Sequence, residues 1–235
     1  MDISHYLYVY DIAQHFMRYF NAVQNDGKSV DYSGTKKHLL PDGTPWIFPS
    51  LPEMIEEHSV YLKYYTPKLG DIVLDAGGYS GLTARYFSQL VGPTGKVIVL
   101  EPDKFNFKCL KENLASYKNV IPHQLALWDQ IGELVFCHHG NQGSSLKIVK
   151  DQQSDREMVK TTTFNELEGL YGKFNFCKID IEGAEEWFWN EILKRKCAVE
   201  LHSHDSIITR LQCSDILIEK DHSERYLFTQ MEMQP

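Results

Sequence analysis

The stretch IVLDAGGYSG at residues 72–81 decides the fold of this 235-residue chain. A short apolar run leads into Asp75, and three glycines, Gly77, Gly78 and Gly81, follow before a helical pattern begins. Glycine is needed where the backbone takes a positive φ or approaches a ligand closely. In open parallel sheets, ligands bind beyond the carboxyl ends of the strands. The stretch therefore predicts a strand, a ligand-binding loop and a helix, in that order.

The same alternation of short apolar runs and helical patterns continues along the chain. It is typical of a parallel sheet with helices on both faces. The segment 133–163 interrupts it, with one predicted strand at 134–136. Two last runs, at 216–219 and 226–230, have a linker too short for a parallel crossover, so an antiparallel hairpin should end the sheet. The predicted strands are 72–76, 97–101, 120–125, 175–181 and 198–202, and the predicted helices are 82–91, 103–116, 184–195 and 206–212.

The beginning of the chain has a different pattern. We predict that residues 1–70 form an accessory segment and that residues 71–235 form the main domain. Apolar side chains at helical spacing within 1–25 indicate an amphipathic helix. The turn sequence PDG at 41–43, between two apolar runs, indicates a hairpin, and a helix is predicted at about 52–65.

Composition restricts the function classes. The chain has 24 Lys and Arg against 32 Asp and Glu, a net charge of −8. This balance argues against binding nucleic acid through phosphate neutralisation, and it leaves a small molecule as the expected partner. Five cysteines without a C-x-x-C pair indicate reduced thiols and a cytoplasmic location. No apolar run is long enough to predict a membrane span, and the oligomeric state is left open.

Two cofactor classes use a glycine-rich loop of this kind. Nicotinamide enzymes carry G-x-G-x-x-G and place a pyrophosphate at the helix N-terminus, but here Ala76 replaces the first glycine. Asp75 would lie beside that pyrophosphate and repel it. S-adenosylmethionine has no phosphate and carries an ammonium and a sulfonium group, so the charge of Asp75 favours it. Glu101, at the end of the next predicted strand, is placed to accept the ribose hydroxyls of either cofactor.

Several stretches resemble the FkbM family of S-adenosylmethionine-dependent methyltransferases. They are DAGGYSG at 75–81, VIVLEPD at 97–103 with Asn113 in the following helix, HQLALWD at 123–129, KIDIEGAE at 178–185, and ILIEKDHSERYLF at 216–228. The resemblance implies a class I methyltransferase fold, which is a Rossmann-like α/β fold. Its seven-stranded sheet is mostly parallel, with an antiparallel last strand. It also implies methylation of a hydroxyl on a sugar or glycosylated natural product. The chain departs from the family at Gly78 and Tyr79, where Ala and Asn are usual.

The resemblance also assigns the cofactor pocket. It carries adenine contacts over to Leu125 and Ala126, with Trp128 and Asp129 beside them. A nicotinamide-dependent oxidoreductase and a non-catalytic S-adenosylmethionine-binding regulator stay open as alternative functions. The candidate cofactor-binding residues are Asp75, Gly77, Gly78, Tyr79, Gly81, Glu101, Pro102, Leu125 and Ala126.

A second polar group follows the later strands. Asp180 and Glu182 are two residues apart, as are Glu200 and His202, so each pair can share one face of its strand. We predict Asp180, Glu182 and His202 as catalytic residues, with His202 or Asp180 taking a hydroxyl proton. Two alternatives stay open. In one, the four side chains are ligands of a divalent ion that acidifies the hydroxyl. In the other, Lys178 merely neutralises its neighbouring carboxylates.

Overall fold

The computed structural model describes residues 36–40, 42–49, 58–138, 155–181, 189–201, 217–221 and 224–229. The strands in this part of the chain are β1 (Lys36–Leu39), β2 (Pro45–Phe48), β3 (Ile72–Ala76), β4 (Lys96–Leu100), β5 (Val120–His123), β6 (Ala126–Leu127), β7 (Gly132–His138), β8 (Asp155–Thr162), β9 (Phe176–Ile179), β10 (Cys197–Leu201), β11 (Leu217–Asp221) and β12 (Glu224–Thr229). The helices are α1 (His58–Tyr61), α2 (Leu82–Val91), α3 (Lys104–Asn113), α4 (Phe164–Tyr171) and α5 (Trp189–Ile192).

Seven of these strands form one sheet in the order β11-β12-β10-β9-β3-β4-β5. The five strands from β10 to β5 run parallel to one another, and β12 is antiparallel to both of its neighbours. This topology confirms the class I methyltransferase fold with its antiparallel last strand. The terminal hairpin is also confirmed, since Leu217 pairs with Phe228 and Asp221 pairs with Glu224.

The predicted element bounds hold best around the glycine-rich stretch. The strand at 72–76 and the helix at 82–91 have the predicted bounds. The predicted strand at 120–125 instead ends at His123, and β6 then leaves this sheet to pair with β8. Of the predicted helix at 184–195, residues 189–195 are described, and the helix ends at Ile192, three residues before its predicted end. The predicted helix at 206–212 lies outside the described residues.

The prediction omitted two elements that follow residue 154, strand β8 and helix α4. The local signal for α4 was present, because the Thr163 side chain accepts a hydrogen bond from the Glu166 backbone N–H at 3.1 Å. Thr-x-x-Glu is a capping-box sequence at a helix N-terminus. Strand β8 pairs antiparallel with β7, which contains the strand predicted at 134–136.

Two cores lie on opposite faces of the large sheet, because successive strand residues point to opposite sides. Val73 and Val97 face a core that includes Phe87 of α2. Leu74 and Ile98 face the other core, which includes residues of α4 and α5. Helices therefore cover both faces, as predicted.

The N-terminal hairpin forms with Leu39 opposite Pro45. Trp46 and Phe48 of β2 are fully buried in the same core as Val73. The described helix α1 ends at Tyr61, four residues before its predicted end, and the Lys63 N–H closes a turn there. The predicted helix within 1–25 lies outside the described residues, and the division at residue 70 stays a prediction.

Among the described helices, none has both the length and the apolar composition needed to cross a membrane.

Candidate active site

The carboxyl ends of five parallel strands bring most of the predicted site residues to one edge of the sheet. In spatial order this edge carries Leu125 after β5, Glu101 after β4, the glycine loop (residues 77–81) after β3, Asp180 after β9, and Glu200 within β10. Residues far apart in the sequence thus become neighbours, as expected for ligand binding at the strand ends.

The glycine loop lies tightly against the strand ends beside it. The N–H groups of Gly77 and Gly78 donate to the Leu100 carbonyl oxygen at 3.0 and 2.9 Å. Gly77 has a φ of +85°, and a Cβ placed on it would lie 1.8 Å from the carbonyl oxygen of Asp180. Gly81 has a φ of +88° and lies at the N-cap of α2. Only glycine meets both demands at Gly77, the left-handed backbone and the absent Cβ.

Tyr79 is the only described non-glycine residue with a positive φ, at 44°. This conformation is uncommon outside glycine, although Asn adopts it more readily. The Asn that is usual in the family at this position would suit it better than Tyr. The Tyr79 N–H donates to Glu101 Oε2 at 2.8 Å, and the side chain is buried.

Glu101 is 5% exposed, and hydrogen bonds from the protein reach both of its oxygens. Oε2 accepts from Tyr79, while Oε1 accepts from the Asp103 N–H at 2.9 Å and from Asn106 Nδ2 at 3.4 Å. Burial raises the pKa of Glu101 to about 7, and these donors counteract only part of the shift. Each carboxylate oxygen has two lone pairs, so Oε1 is fully used, and one lone pair of Oε2 is left to accept a further hydrogen bond.

Asp75 is fully buried beneath the glycine loop, beside the ammonium group of Lys178. Lys178 Nζ lies 3.4 Å from Asp75 Oδ1 and 3.3 Å from Asp180 Oδ2, and it donates to the Gly77 carbonyl oxygen at 2.7 Å. Neither carboxylate oxygen of Asp75 accepts a hydrogen bond from any described residue. Burial raises the pKa of Asp75 to about 6, although the Lys178 charge counteracts it. Lys178 thus forms ion pairs with both neighbouring carboxylates, and the choice between the catalytic and the structural interpretation of Asp180 stays open.

Tyr61, from the accessory segment, contacts the far side of the site and was not predicted there. Its hydroxyl donates to Glu200 Oε2 at 2.5 Å and lies 3.4 Å from Asp180 Oδ2. Its ring centroid is 5.4 Å from Lys178 Nζ. No local pattern marked this tyrosine, because its partners are 119 and 139 residues away in the sequence.

The candidate adenine contacts lie beyond β5. Ala126 is buried in β6, Leu125 is half-buried beside the second core, and Pro102 is half-buried after Glu101. Trp128 is half-buried, and Asp129 is exposed.

Two of the three predicted catalytic residues, Glu182 and His202, lie outside the described residues. Both belong to the divalent-ion alternative, which therefore stays untested. Within the part of the chain that the structure describes, no three His, Cys, Asp or Glu side chains are grouped as metal ligands would be.

A sequence model of the methyltransferase FkbM domain matches residues 75–233, more than half of the chain. The chain belongs to this family. It is therefore an S-adenosylmethionine-dependent methyltransferase, and the match begins at Asp75 and includes the strand ends described above. No curated protein sequence matches it.

Three solved structures are distantly similar to this FkbM methyltransferase. Fibrillarin from Aeropyrum pernix, with natively bound S-adenosyl-L-methionine, is 14% identical, covers 86% of this chain and 96% of its own, and has a TM-score of 0.43. Methyltransferase FkbM from Methylobacillus flagellatus is 16% identical over 68% of this chain and 43% of its own, with a TM-score of 0.46. An rRNA methylase from Streptococcus thermophilus is 10% identical over 78% of this chain and 99% of its own, with a TM-score of 0.47. The fold of the present chain rests on its own strand order and on its family.

The described residues fit S-adenosylmethionine. The strand-end edge carries the carboxylates of Asp75, Glu101, Asp180 and Glu200, and the buried ammonium of Lys178 pairs with two of them. A cationic cofactor suits this excess of negative charge.

Replacing Gly77 by Ala tests the close approach of the glycine loop to Asp180. Gly43→Ala is the matched control, since Gly43 has a φ of +82° and no atom within 4 Å of the added Cβ. The left-handed backbone alone should lower the free energy of unfolding by about 1 kcal/mol in both variants. In Gly77→Ala the free energy of unfolding should fall by at least about 3 kcal/mol, because the backbone at Asp180 must also move away from the added Cβ. Urea denaturation measures both, and equal losses would contradict the close approach.

The buried Glu101 carboxyl should make stability depend on pH. Its pKa is raised in the folded state, so the folded protein binds a proton that the unfolded chain has released, and the free energy of unfolding falls as pH rises from about 4.5 to about 7. The loss from this group is on the order of 3 kcal/mol. Asp75 adds a similar fall ending near pH 6.

Glu101→Gln should abolish the part of this fall that lies between about pH 6 and 7, as measured by urea denaturation across the pH range. Glu112→Gln makes the same chemical change at an exposed position and should keep the slope of the unsubstituted protein. An unchanged slope in Glu101→Gln would show that another group titrates there.

Proposed function

We propose that this methyltransferase methylates a hydroxyl oxygen of a small acceptor, a carbohydrate or glycosylated natural product, and that Asp180 takes the hydroxyl proton. A nucleic-acid acceptor is not expected for a chain with a net charge of −8. The family resemblance supports the acceptor class, and the strand-end carboxylates support the proton transfer.

The accessibility of Asp180 carries the proposal. Its side chain is 26% exposed, whereas Asp75 is fully buried, Glu101 is 5% exposed and Glu200 is 8% exposed. Among the described carboxylates at the strand ends, Asp180 is thus the most open to an acceptor. Its backbone also abuts Gly77 and donates to the Ala76 carbonyl oxygen at 3.0 Å. A base must lie within hydrogen-bond reach of the proton that it takes, and Asp180 lies directly beside the glycine loop.

The neighbours of Asp180 support this role by fixing its carboxylate. Lys178 is held by the Gly77 carbonyl oxygen and by Asp75, and it positions Asp180 Oδ2. The Tyr61 hydroxyl donates to Glu200 Oε2 and lies 3.4 Å from Asp180 Oδ2, so it closes the other side of the site. A carboxylate held in this way loses little conformational freedom when an acceptor hydroxyl binds.

S-adenosylmethionine supplies a methyl group made electrophilic by its sulfonium sulfur. Glu101 accepts a ribose hydroxyl through the remaining lone pair of Oε2, and Leu125 and Ala126 provide an apolar surface for the adenine. Asp180 orients the acceptor hydroxyl and holds its proton after transfer. Alignment of the acceptor oxygen by these groups supplies much of the rate enhancement. Glu182 and His202 stay as further catalytic candidates from the sequence.

We also infer a cytoplasmic location for the enzyme. Cys109, Cys177 and Cys197 are buried free thiols in the described part of the chain, in agreement with a reducing compartment.

An acceptor panel tests the acceptor class. S-adenosylhomocysteine release should be seen with members of a panel of sugars, sugar nucleotides and polyketide alcohols. Matched amino sugars and thiols, offered at the same concentration, are the control for the acceptor atom. Turnover only with the amines or thiols would contradict O-methylation.

Asp180→Asn tests the proton acceptor, using the best acceptor from that panel. It should lower kcat by about 100-fold or more, the usual contribution of a general base, and should change S-adenosylhomocysteine affinity by less than about 3-fold. Glu133→Gln removes one negative charge at an exposed position of β7 and should keep full turnover. Full turnover in Asp180→Asn would exclude Asp180 as the base.

A further inference from the structure

Asn113 joins the N-terminal hairpin to the glycine loop. Its Oδ1 accepts from the Ile47 N–H at 2.9 Å, and its Nδ2 donates to the Ile47 carbonyl oxygen at 2.8 Å and to the Ser80 carbonyl oxygen at 2.9 Å. Both donors of the side-chain amide and its carbonyl are therefore in use. We call this arrangement of Asn113, Ile47 and Ser80 the amide clasp.

Trp46 makes a second link between the same two segments. Its indole Nε1 donates to Ser80 Oγ at 3.1 Å, and both residues are fully buried. Since water does not reach this hydrogen bond, it cannot replace the indole donor if that donor is removed. The hairpin thus contacts the Ser80 side chain directly through Trp46. It is linked to the Ser80 backbone carbonyl through Asn113.

Ser80 follows the strained residue of the glycine loop. A left-handed conformation at a non-glycine residue such as Tyr79 costs about 1–2 kcal/mol, and it persists only where the surrounding structure holds it. The Glu101 carboxylate holds Tyr79 by accepting a hydrogen bond from the Tyr79 N–H. Trp46 and Asn113 hold the next residue, Ser80. Without these contacts, the loop would relax toward less strained conformations.

We propose that the β1–β2 hairpin is part of the cofactor-binding machinery, with Asn113 and Trp46 as positioning residues that keep the glycine loop in its cofactor-binding conformation. The hairpin lies before the segment that matches the family model, which begins at Asp75. The proposal concerns the cofactor and is independent of the acceptor. A loop that is binding-competent for only a fraction of the time binds its ligand more weakly by that fraction.

Asn113→Asp tests the amide clasp with almost no change in side-chain shape. The ionised carboxylate keeps an acceptor for the Ile47 N–H, but it loses both donors and faces two carbonyl oxygens. Asn119→Asp is the matched control, because Asn119 Nδ2 also donates to two backbone carbonyl oxygens, those of Ser88 at 3.0 Å and Gly92 at 2.8 Å. These contacts lie at the other end of α2, away from the glycine loop.

Isothermal titration calorimetry with S-adenosylhomocysteine gives the readout, with thermal denaturation in parallel. Both variants should have a lower Tm. Asn113→Asp should bind S-adenosylhomocysteine about 10-fold more weakly than the unsubstituted protein, as expected from losing the two donated hydrogen bonds, whereas Asn119→Asp should bind within about 2-fold. The difference in affinity between Asn113→Asp and the unsubstituted protein should become smaller as pH falls, because the carboxyl introduced at position 113 regains one donor when it is protonated.

Equal affinities for Asn113→Asp and the unsubstituted protein would overturn the proposal, and so would an equal loss in both Asp variants. Trp46→Phe provides a second variant in case Asn113→Asp does not fold. It keeps an aromatic ring in the core, and it removes the donor to Ser80 together with part of the buried ring volume, so that Tm should fall as well. It should weaken S-adenosylhomocysteine binding about 3- to 10-fold. Unchanged binding there would likewise contradict a role of the hairpin.

Discussion

The buried ammonium of Lys178 is the constraint on which the site depends. A charge that is 3% exposed is tolerated only when it is paired and hydrogen-bonded, and its partners are Asp75, Asp180 and the Gly77 carbonyl oxygen. These partners lie on β3, after β9 and in the glycine loop. Asp75 pairs directly with Lys178 across the two strands, so the ion pair and the strand register require each other. In this register the Asp180 carbonyl lies against Gly77, which is why that position has no room for a side chain.

Part of the acidic excess of the chain lies at the same edge of the sheet. Burial raises the pKa of both Asp75 and Glu101, so their charged forms are destabilised in the protein alone. A nearby cation favours the charged form of a carboxyl group. A cationic cofactor bound beside these carboxylates would therefore favour their charged forms, which burial disfavours in the protein alone.

The accessory segment contributes to both the core and the site. Trp46, Phe48 and Tyr61 are buried in the core on one face of the sheet, with Phe87 of α2. The hydroxyl of Tyr61 and the indole of Trp46 then reach polar groups at the strand ends, Glu200 and Ser80 respectively. Aromatic residues suit this position because one end of the side chain is apolar and the other carries a donor.

The local pattern of the sequence determined the strand, glycine loop and α2, the hairpins and the family, because turn chemistry and hydrophobic period act over a few residues. It also placed Glu101 and Asp180 at strand ends. The capping sequence of Thr163 and Glu166 is equally local, so the start of α4 is also determined by the sequence. Only the tertiary structure decided the burial of Asp75 against Lys178, the contact of Tyr61 with Glu200, and the clasp of Asn113 on Ile47 and Ser80. These contacts join segments up to 139 residues apart, and they depend on strand register and on the docking of the hairpin, which no local pattern contains.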